Sequence, residues 1–198
     1  MENKKGKRMQ SAAAEPQKGS LFKRFWKEWG SLIVVLLSIV VLLKVVFQVA
    51  WVPSGSMEPT IPTKSLQICW RLPYFLADPM PERGDVFTFW SEEEDKVLVK
   101  RVIGLPGDTI SYQEGFTYLN GVRMEETYLA PQGLTSCEKT FTVPEGCVFF
   151  MGDNRTGSYD ARFWKDPYIS LHDLQAKVLL TISIGSNRSW QGVRLITK

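Results

Sequence analysis

The sequence predicts a mainly β protein: an antiparallel β-sheet or partial barrel preceded by one transmembrane α-helix. Three observations carry that prediction. Residues 32–52 form a 21-residue apolar run. Beyond Pro53, short runs rich in Val, Ile, Phe and Tyr alternate with turn residues. That second part shows almost no helical periodicity. The 198 residues are 44% hydrophobic and 23% charged, which excludes wholesale disorder and collagen-like structure. No repeat period is visible, so solenoids and propellers are set aside. Three Cys without C-x-x-C spacing suit neither structural zinc nor a disulfide scaffold, and one His, His172, excludes a multi-histidine metal centre.

Residues 1–30 hold eight Lys/Arg against three Glu, leaving −2 for the rest of a chain whose total is +3. The basic character belongs to the tail, and the body carries no electrostatic footprint for nucleic acid. The tail is polar and without apolar periodicity, and is read as largely disordered. The run at 32–52 (LIVVLLSIVVLLKVVFQVAWV) would be roughly 31 Å long as a helix, about a bilayer's hydrocarbon core. Trp26 and Trp29 precede it and Trp51 ends it, where amphipathic rings favour the interfaces. Lys44 is costly at that depth; it either snorkels or marks an early exit that leaves residues 45–52 at the interface. The alternative is a cleaved secretory signal with residues 32–43 as its h-region. The long basic leader, and Gln48 two positions before Ala50, favour a retained anchor. Basic residues flank only the N-terminal side, which predicts a cytoplasmic tail (1–30), a membrane-spanning segment (31–52) and an extracytoplasmic body (53–198).

Within the body, strands are expected at 66–70, 86–90, 97–103, 109–112, 116–119, 122–124, 147–151 and 178–184, with a helical turn or two near 170–175. Asn120-Gly121 signals a type I′ hairpin, and Gly84-Asp85, Pro106-Gly107 and Gly152-Asp153 mark further turns.

Residues 53–60, PSGSMEPT, make a stiff turn that can present a hydroxyl beside backbone N–H groups, an arrangement suited to a nucleophile and an oxyanion hole. Ser-Gly-Ser alone is a common linker, but Pro53, Met57 and Pro59 argue against a flexible one. His172 lies in a polar stretch and reads as a surface residue. The remaining candidate base is a desolvated lysine. In 97–103, period-2 alternation puts Leu98, Lys100 and Val102 on one face and Val97, Val99 and Arg101 on the other. Burial between Leu98 and Val102 would disfavour the ammonium; snorkelling from an edge strand is the equal alternative. Lys64, Lys96, Lys139 and Lys165 sit in polar or turn contexts. Residues 151–164 (MGDNRTGSYDARFW) read either as a solvated turn cluster or as a loop braced by hydrogen bonds. The run 92–95 (EEED) is expected in solvent. Asp153 and Asp160 could share a metal, but Arg155 and Arg162 beside them argue for ion pairs.

Three segments in order, 53–60, 97–108 and 152–164, with 83–86 (RGDV) as a fourth, resemble the signature boxes of the type I signal peptidase family. The similarity runs from the apolar run to about Trp164. It implies Ser56 as nucleophile and Lys100 as general base, with the Ser56 N–H and Ser54 hydroxyl as the oxyanion hole. It also implies that Ser158 hydrogen-bonds the lysine amine, and that Asp160 with Arg162 and Arg101 braces the site beside Gly152 and Asp153. A shallow pocket for a small residue before the scissile bond would be lined by Val52, Pro53, Met57, Ile61, Leu98 and Val99. Ala161 and Lys165 depart from the family's usual Ser and Gly. The expected partners are membrane-held preproteins with small residues before the cleavage site and the lipid bilayer of a cell (plasma or inner) membrane, with residues 70–76 dipping into the interface. No nucleic acid and no cofactor are expected. Another Ser–Lys processing peptidase, or a non-catalytic single-pass scaffold, would share parts of this pattern. Cys137 and Cys147 lie in an extracytoplasmic body where a disulfide can persist, and a bridge between them is expected; Cys69 reads as a buried thiol.

Overall fold

The structure is a computed structural model that describes residues 18–76, 80–130, 134–184 and 190–196. The chain divides into two compact units after Leu42. The first holds most of helix α1, Lys18–Val46, whose stretch Phe22–Val46 is long and apolar enough to cross a membrane. Leu36, Leu37, Val40 and Val41 are all exposed. Ser38 satisfies its hydroxyl within the helix by donating to the Val34 carbonyl at 2.8 Å, as a polar group in hydrocarbon must.

The helix is shorter than the apolar run. It stops at Val46, and Phe47–Val52 form strand β1 instead of its last turns. The reason is alternation: Gln48, Ala50 and Val52 face inward while Phe47, Val49 and Trp51 face outward, and the segment pairs over its whole length with β2. An outward face as apolar as a lipid-facing helix hides this change of period from a composition reading.

The second unit continues with β2 (Ser65–Trp70), a short helix α2 (Leu72–Leu76), β3 (Val86–Ser91), β4 (Lys96–Gly104), β5 (Thr109–Gln113), β6 (Phe116–Leu119) and β7 (Val122–Arg123). Then follow β8 (Phe141–Thr142), β9 (Cys147–Met151), β10 (Tyr168–Ser170), a 3-10 turn at Leu171–Asp173, β11 (Leu174–Ile184) and β12 (Trp190–Leu195). Each expected strand is present, and the turn near 170–175 is the 3-10 segment. The eight-stranded sheet runs β1-β2-β11-β3-β4-β9-β10, with β12 on β11; its described pairings are antiparallel. A four-stranded sheet runs β7-β6-β5-β8. Asn120 and Gly121 have φ of 51° and 81°, both positive as a type I′ turn requires, between paired Leu119 and Val122.

Two buried clusters fill the unit. The larger holds Phe87, Phe89, Val102, Phe149, Phe150 and Trp164, with Phe89 stacked on Phe150 at 4.4 Å. The smaller joins Val52, Met57, Ile61, Cys69, Val86 and Val178. Opposite the smaller cluster, Phe47, Val49 and Trp51 of β1 share a sheet face with Trp70, Val193 and Leu195, all of them exposed.

The expected disulfide is corrected. All three cysteines are free. Cys137 lies beside Tyr112 on the second sheet, whereas Cys147 lines a different cleft with Asp166 and Asp173, so the two thiols do not meet. Burial pushes the Cys69 thiol up to about 12, in keeping with an inert core position.

Candidate active site

Strand β4 sets the site. Its register puts Lys100 opposite Phe87 and Leu98 opposite Phe89, with Val102 opposite Phe150 on β9. Lys100 therefore projects from the face that builds the larger cluster and is only 3% exposed. Snorkelling is ruled out. Ser56 comes to it from the turn that follows β1. Met57 and Ile61, both fully buried, anchor that turn, and the Glu58 N–H closes on the Gly55 carbonyl at 3.1 Å. The Lys100 Nζ and Ser56 Oγ atoms are 2.7 Å apart.

Burial lowers the Lys100 pKa from 10.5 to about 8, working against the carboxylates of Asp160, Glu94 and Asp153. Burial wins because none of these three carboxylates acts alone. Asp160 is paired with Arg162, with Nε to Oδ1 at 2.8 Å. Asp153 is held bidentately by Arg101 at 2.8 and 2.6 Å. Glu94 is paired with Lys96. At pH 7 about a tenth of the amine would be unprotonated. The strand lysine missing from the sequence survey, Lys177, is engaged with Asp85 at 2.8 Å.

The loop after β9 supports the Ser56 turn from the other side. Asp160 accepts the Gly152 N–H at 2.9 Å and the Arg162 guanidinium, which also donates to the Arg155 carbonyl at 2.8 Å. Gly152 is tightly confined: a Cβ there would lie 2.2 Å from Ser158 Oγ and 2.4 Å from the Ser56 carbonyl oxygen. The Asp153–Arg101 pair continues to the Gly84 carbonyl at 2.7 Å, tying in the RGDV segment, and Tyr128 lies 4.0 Å under the guanidinium.

Several expectations are corrected by this geometry. Arg101 pairs with Asp153 and not with Asp160, because its side chain leaves β4 on the opposite face from Lys100. Arg155 pairs with Glu126 and not with its neighbour Asp153. Ser158 does not hydrogen-bond Lys100. Its buried hydroxyl meets no partner among the described residues and packs toward Gly152, while the amine engages Ser56. Val52, Met57, Ile61 and Val99 gather in the smaller cluster, but Leu98 packs against the larger one and Pro53 is exposed. Ser54 is exposed two residues before Ser56. Glu93 is not merely solvated, since it accepts from the Tyr159 hydroxyl at 2.9 Å and the Lys165 N–H at 2.7 Å. Sequence reading missed Glu126, Tyr128 and the role of Asn154; only the density of polar residues at 151–164 hinted at the last.

A serine on a stiff turn with its hydroxyl against a buried amine, in a mainly β domain, fits the class of serine peptidases. Comparison with known proteins agrees. The family described as signal peptidase, peptidase S26, matches residues 26–182. The chain belongs to that family. It is 32% identical to a probable signal peptidase I-2 of Synechocystis over 70% of this chain and 66% of the relative. It is 36% identical to the signal peptidase I of Bacillus caldolyticus over 64% of this chain and 74% of the relative. The crystal structure of a signal peptidase I from Enterococcus faecalis V583 matches with 30% identity and a TM-score of 0.44, covering 50% of this chain and 96% of that one.

Two outcomes follow from the packing. Gly152→Ala is expected to lose at least 90% of specific activity, because its Cβ would displace either Ser158 or the Ser56 carbonyl; initial rates normalised to folded protein check this. The second concerns Lys100. Between pH 8 and 10.5 the unfolded chain holds a proton that the folded chain lacks, so stability rises with pH across that window. Below it the folded state carries the whole penalty, about 3 kcal/mol. Lys100→Met keeps the volume and removes the amine, so it is expected to raise stability at pH 7 by about 1–3 kcal/mol. The gain should fade above pH 10, as thermal unfolding in detergent at several pH values would show.

Proposed function

We propose that this protein is a membrane-anchored serine endopeptidase that removes N-terminal signal peptides from exported preproteins. The observation that carries the reading is the 2.7 Å contact between a serine hydroxyl and an amine that burial holds near pKa 8. Unprotonated Lys100 takes the Ser56 proton as Oγ attacks the scissile carbonyl. The Ser56 N–H and the Ser54 hydroxyl receive the oxyanion, each donor worth roughly 3 kcal/mol. The lysine then protonates the leaving amine, the acyl-enzyme forms, and the same nitrogen activates the water that hydrolyses it.

Substrate geometry follows from the sheet. β9 pairs with β4 only from Arg101 to Gly104, so among the described residues Lys96–Lys100 have strand β3 on one side alone. An extended preprotein segment would add to that free edge, its alternate side chains directed to two pockets. This favours small residues at the first and third positions before the cut, near the cluster of Val52, Met57, Ile61 and Val99.

The basic flank of α1 supports a cytoplasmic N-terminus and an extracytoplasmic body. Only nine residues separate Val46, the end of the helix, from Ser56, which supports a nucleophile close to the bilayer and a substrate that is itself membrane-held. The exposed apolar face bearing Trp51 and Trp70 would meet the lipid.

Cleavage of a preprotein in detergent tests the reading. Ser56→Ala and Lys100→Ala should each reduce turnover by at least a thousandfold, and the wild-type kcat/KM should rise tenfold per pH unit below a midpoint near 8. Normal cleavage by either variant would overturn it.

A further inference from the structure

The oxyanion donor is a backbone N–H, and its direction has to be fixed by something. In a planar trans peptide the carbonyl and the following N–H point in opposite directions, so whatever holds the Gly55 oxygen aims the Ser56 N–H. Two donors hold that oxygen: the Glu58 N–H at 3.1 Å, within the turn, and the Asn154 side-chain amide at 3.1 Å, from the loop after β9. The Asn154 backbone N–H also donates to the Ser56 carbonyl at 3.1 Å. One residue therefore grips the peptide on each side of the nucleophile. The Ser56 N–H itself meets no acceptor among the described residues.

Asn154 is well placed to act as a fixed clamp. Its side-chain orientation is set by the Gly157 N–H, which donates to its Oδ1 at 3.0 Å and so turns Nδ2 toward Gly55. A Cβ at Gly157 would lie 2.7 Å from Nδ2, so the close approach needs a glycine there. Its neighbours are both locked by buried ion pairs: Asp153 by Arg101, and Arg155 by Glu126, with Thr117 and Thr135 accepting from the same guanidinium at 3.0 and 2.9 Å. The nucleophile turn is thereby referenced to the second sheet.

We propose that Asn154 is a positioning residue for the oxyanion hole: its side-chain amide holds the Gly55 carbonyl and so aims the Ser56 N–H at the developing oxyanion. This rests on the proposed peptidase reading and deepens it. Asn154→Asp is nearly isosteric but replaces the donor facing Gly55 with a carboxylate oxygen, which repels the carbonyl; Asn154→Ala removes the clamp. Neither touches Lys100.

The test compares the full-length wild type with both variants in detergent, using a preprotein, a peptide aldehyde with alanine at the first and third positions before the cut, and the corresponding peptide alcohol. Ser56 Oγ adds to the aldehyde carbon as its proton passes to the unprotonated Lys100 amine and the C=O π pair moves onto the oxygen, so the adduct's oxyanion occupies the hole; the alcohol forms no such bond. Asn154→Asp is expected to lower kcat ten- to a hundredfold with KM within threefold. It should weaken the aldehyde by at least tenfold, leave the alcohol within threefold, and leave the acidic limb of the pH profile near 8. A variant that merely loosens or unfolds would weaken aldehyde and alcohol alike, and that equal loss overturns the proposal. Wild-type kinetics in both variants, with Ser56→Ala inactive, overturns the proposal but leaves the peptidase reading standing. Full cleavage by Ser56→Ala overturns both.

Discussion

The site depends on keeping one amine out of water. Lys100 stands in a row of apolar side chains on the core face of β4, and desolvation there must outweigh three carboxylates that favour the ammonium. The arrangement of ion pairs makes this possible. Arg162, Arg101 and Lys96 each accompany one of those carboxylates, so the lysine faces paired charges with weak combined fields. A buried ion pair is a poor device for stability alone. Here Asp160–Arg162 and Asp153–Arg101 add a second benefit, because their hydrogen bonds run directly into Gly152, Gly84 and the loop that supports Ser56.

The same loop links chemistry to architecture. Residues 152–162 contact the turn bearing Ser56 at Ser56 and Gly55, β4 through Arg101, and the second sheet through Arg155. The Ser56 hydroxyl and the Lys100 amine are thus positioned by two β elements and a hydrogen-bonded loop. This fits the requirement that catalytic groups be preorganised. The spare apolar surface lies elsewhere, on the outward face of β1, β2 and β12.

Much of this was legible from the amino acids. Period-2 alternation in 97–103 placed Lys100 among Leu98 and Val102, and the Asn120-Gly121 turn fell where its chemistry predicts. The end of the helix was half legible. Lys44 offered an early exit that leaves residues 45–52 outside the span, and the helix does stop at Val46. The outward residues of β1 are as apolar as the helix, so that they form a strand was not legible. The short strands β8 and β10 carry too few residues for periodicity to speak. Partners of charged groups were the weakest point. Alternation already implied that Arg101 and Lys100 point to opposite faces, so the pairing of Arg101 with Asp153 could have been anticipated. The Arg155–Glu126 contact spans 29 residues through a loop with no pattern to read. The Cys137–Cys147 bridge failed for a similar reason: spacing along the chain says nothing about which cleft each thiol enters.

The most direct test of the account is an NMR titration of the full-length protein in detergent with isotopically labelled lysine, assigning the Lys100 signal by its loss in Lys100→Met. The account predicts a midpoint near 8, well below the ordinary lysine value. A midpoint at or above 10, the ordinary range of an exposed lysine, would mean that the amine is not desolvated and would contradict the account.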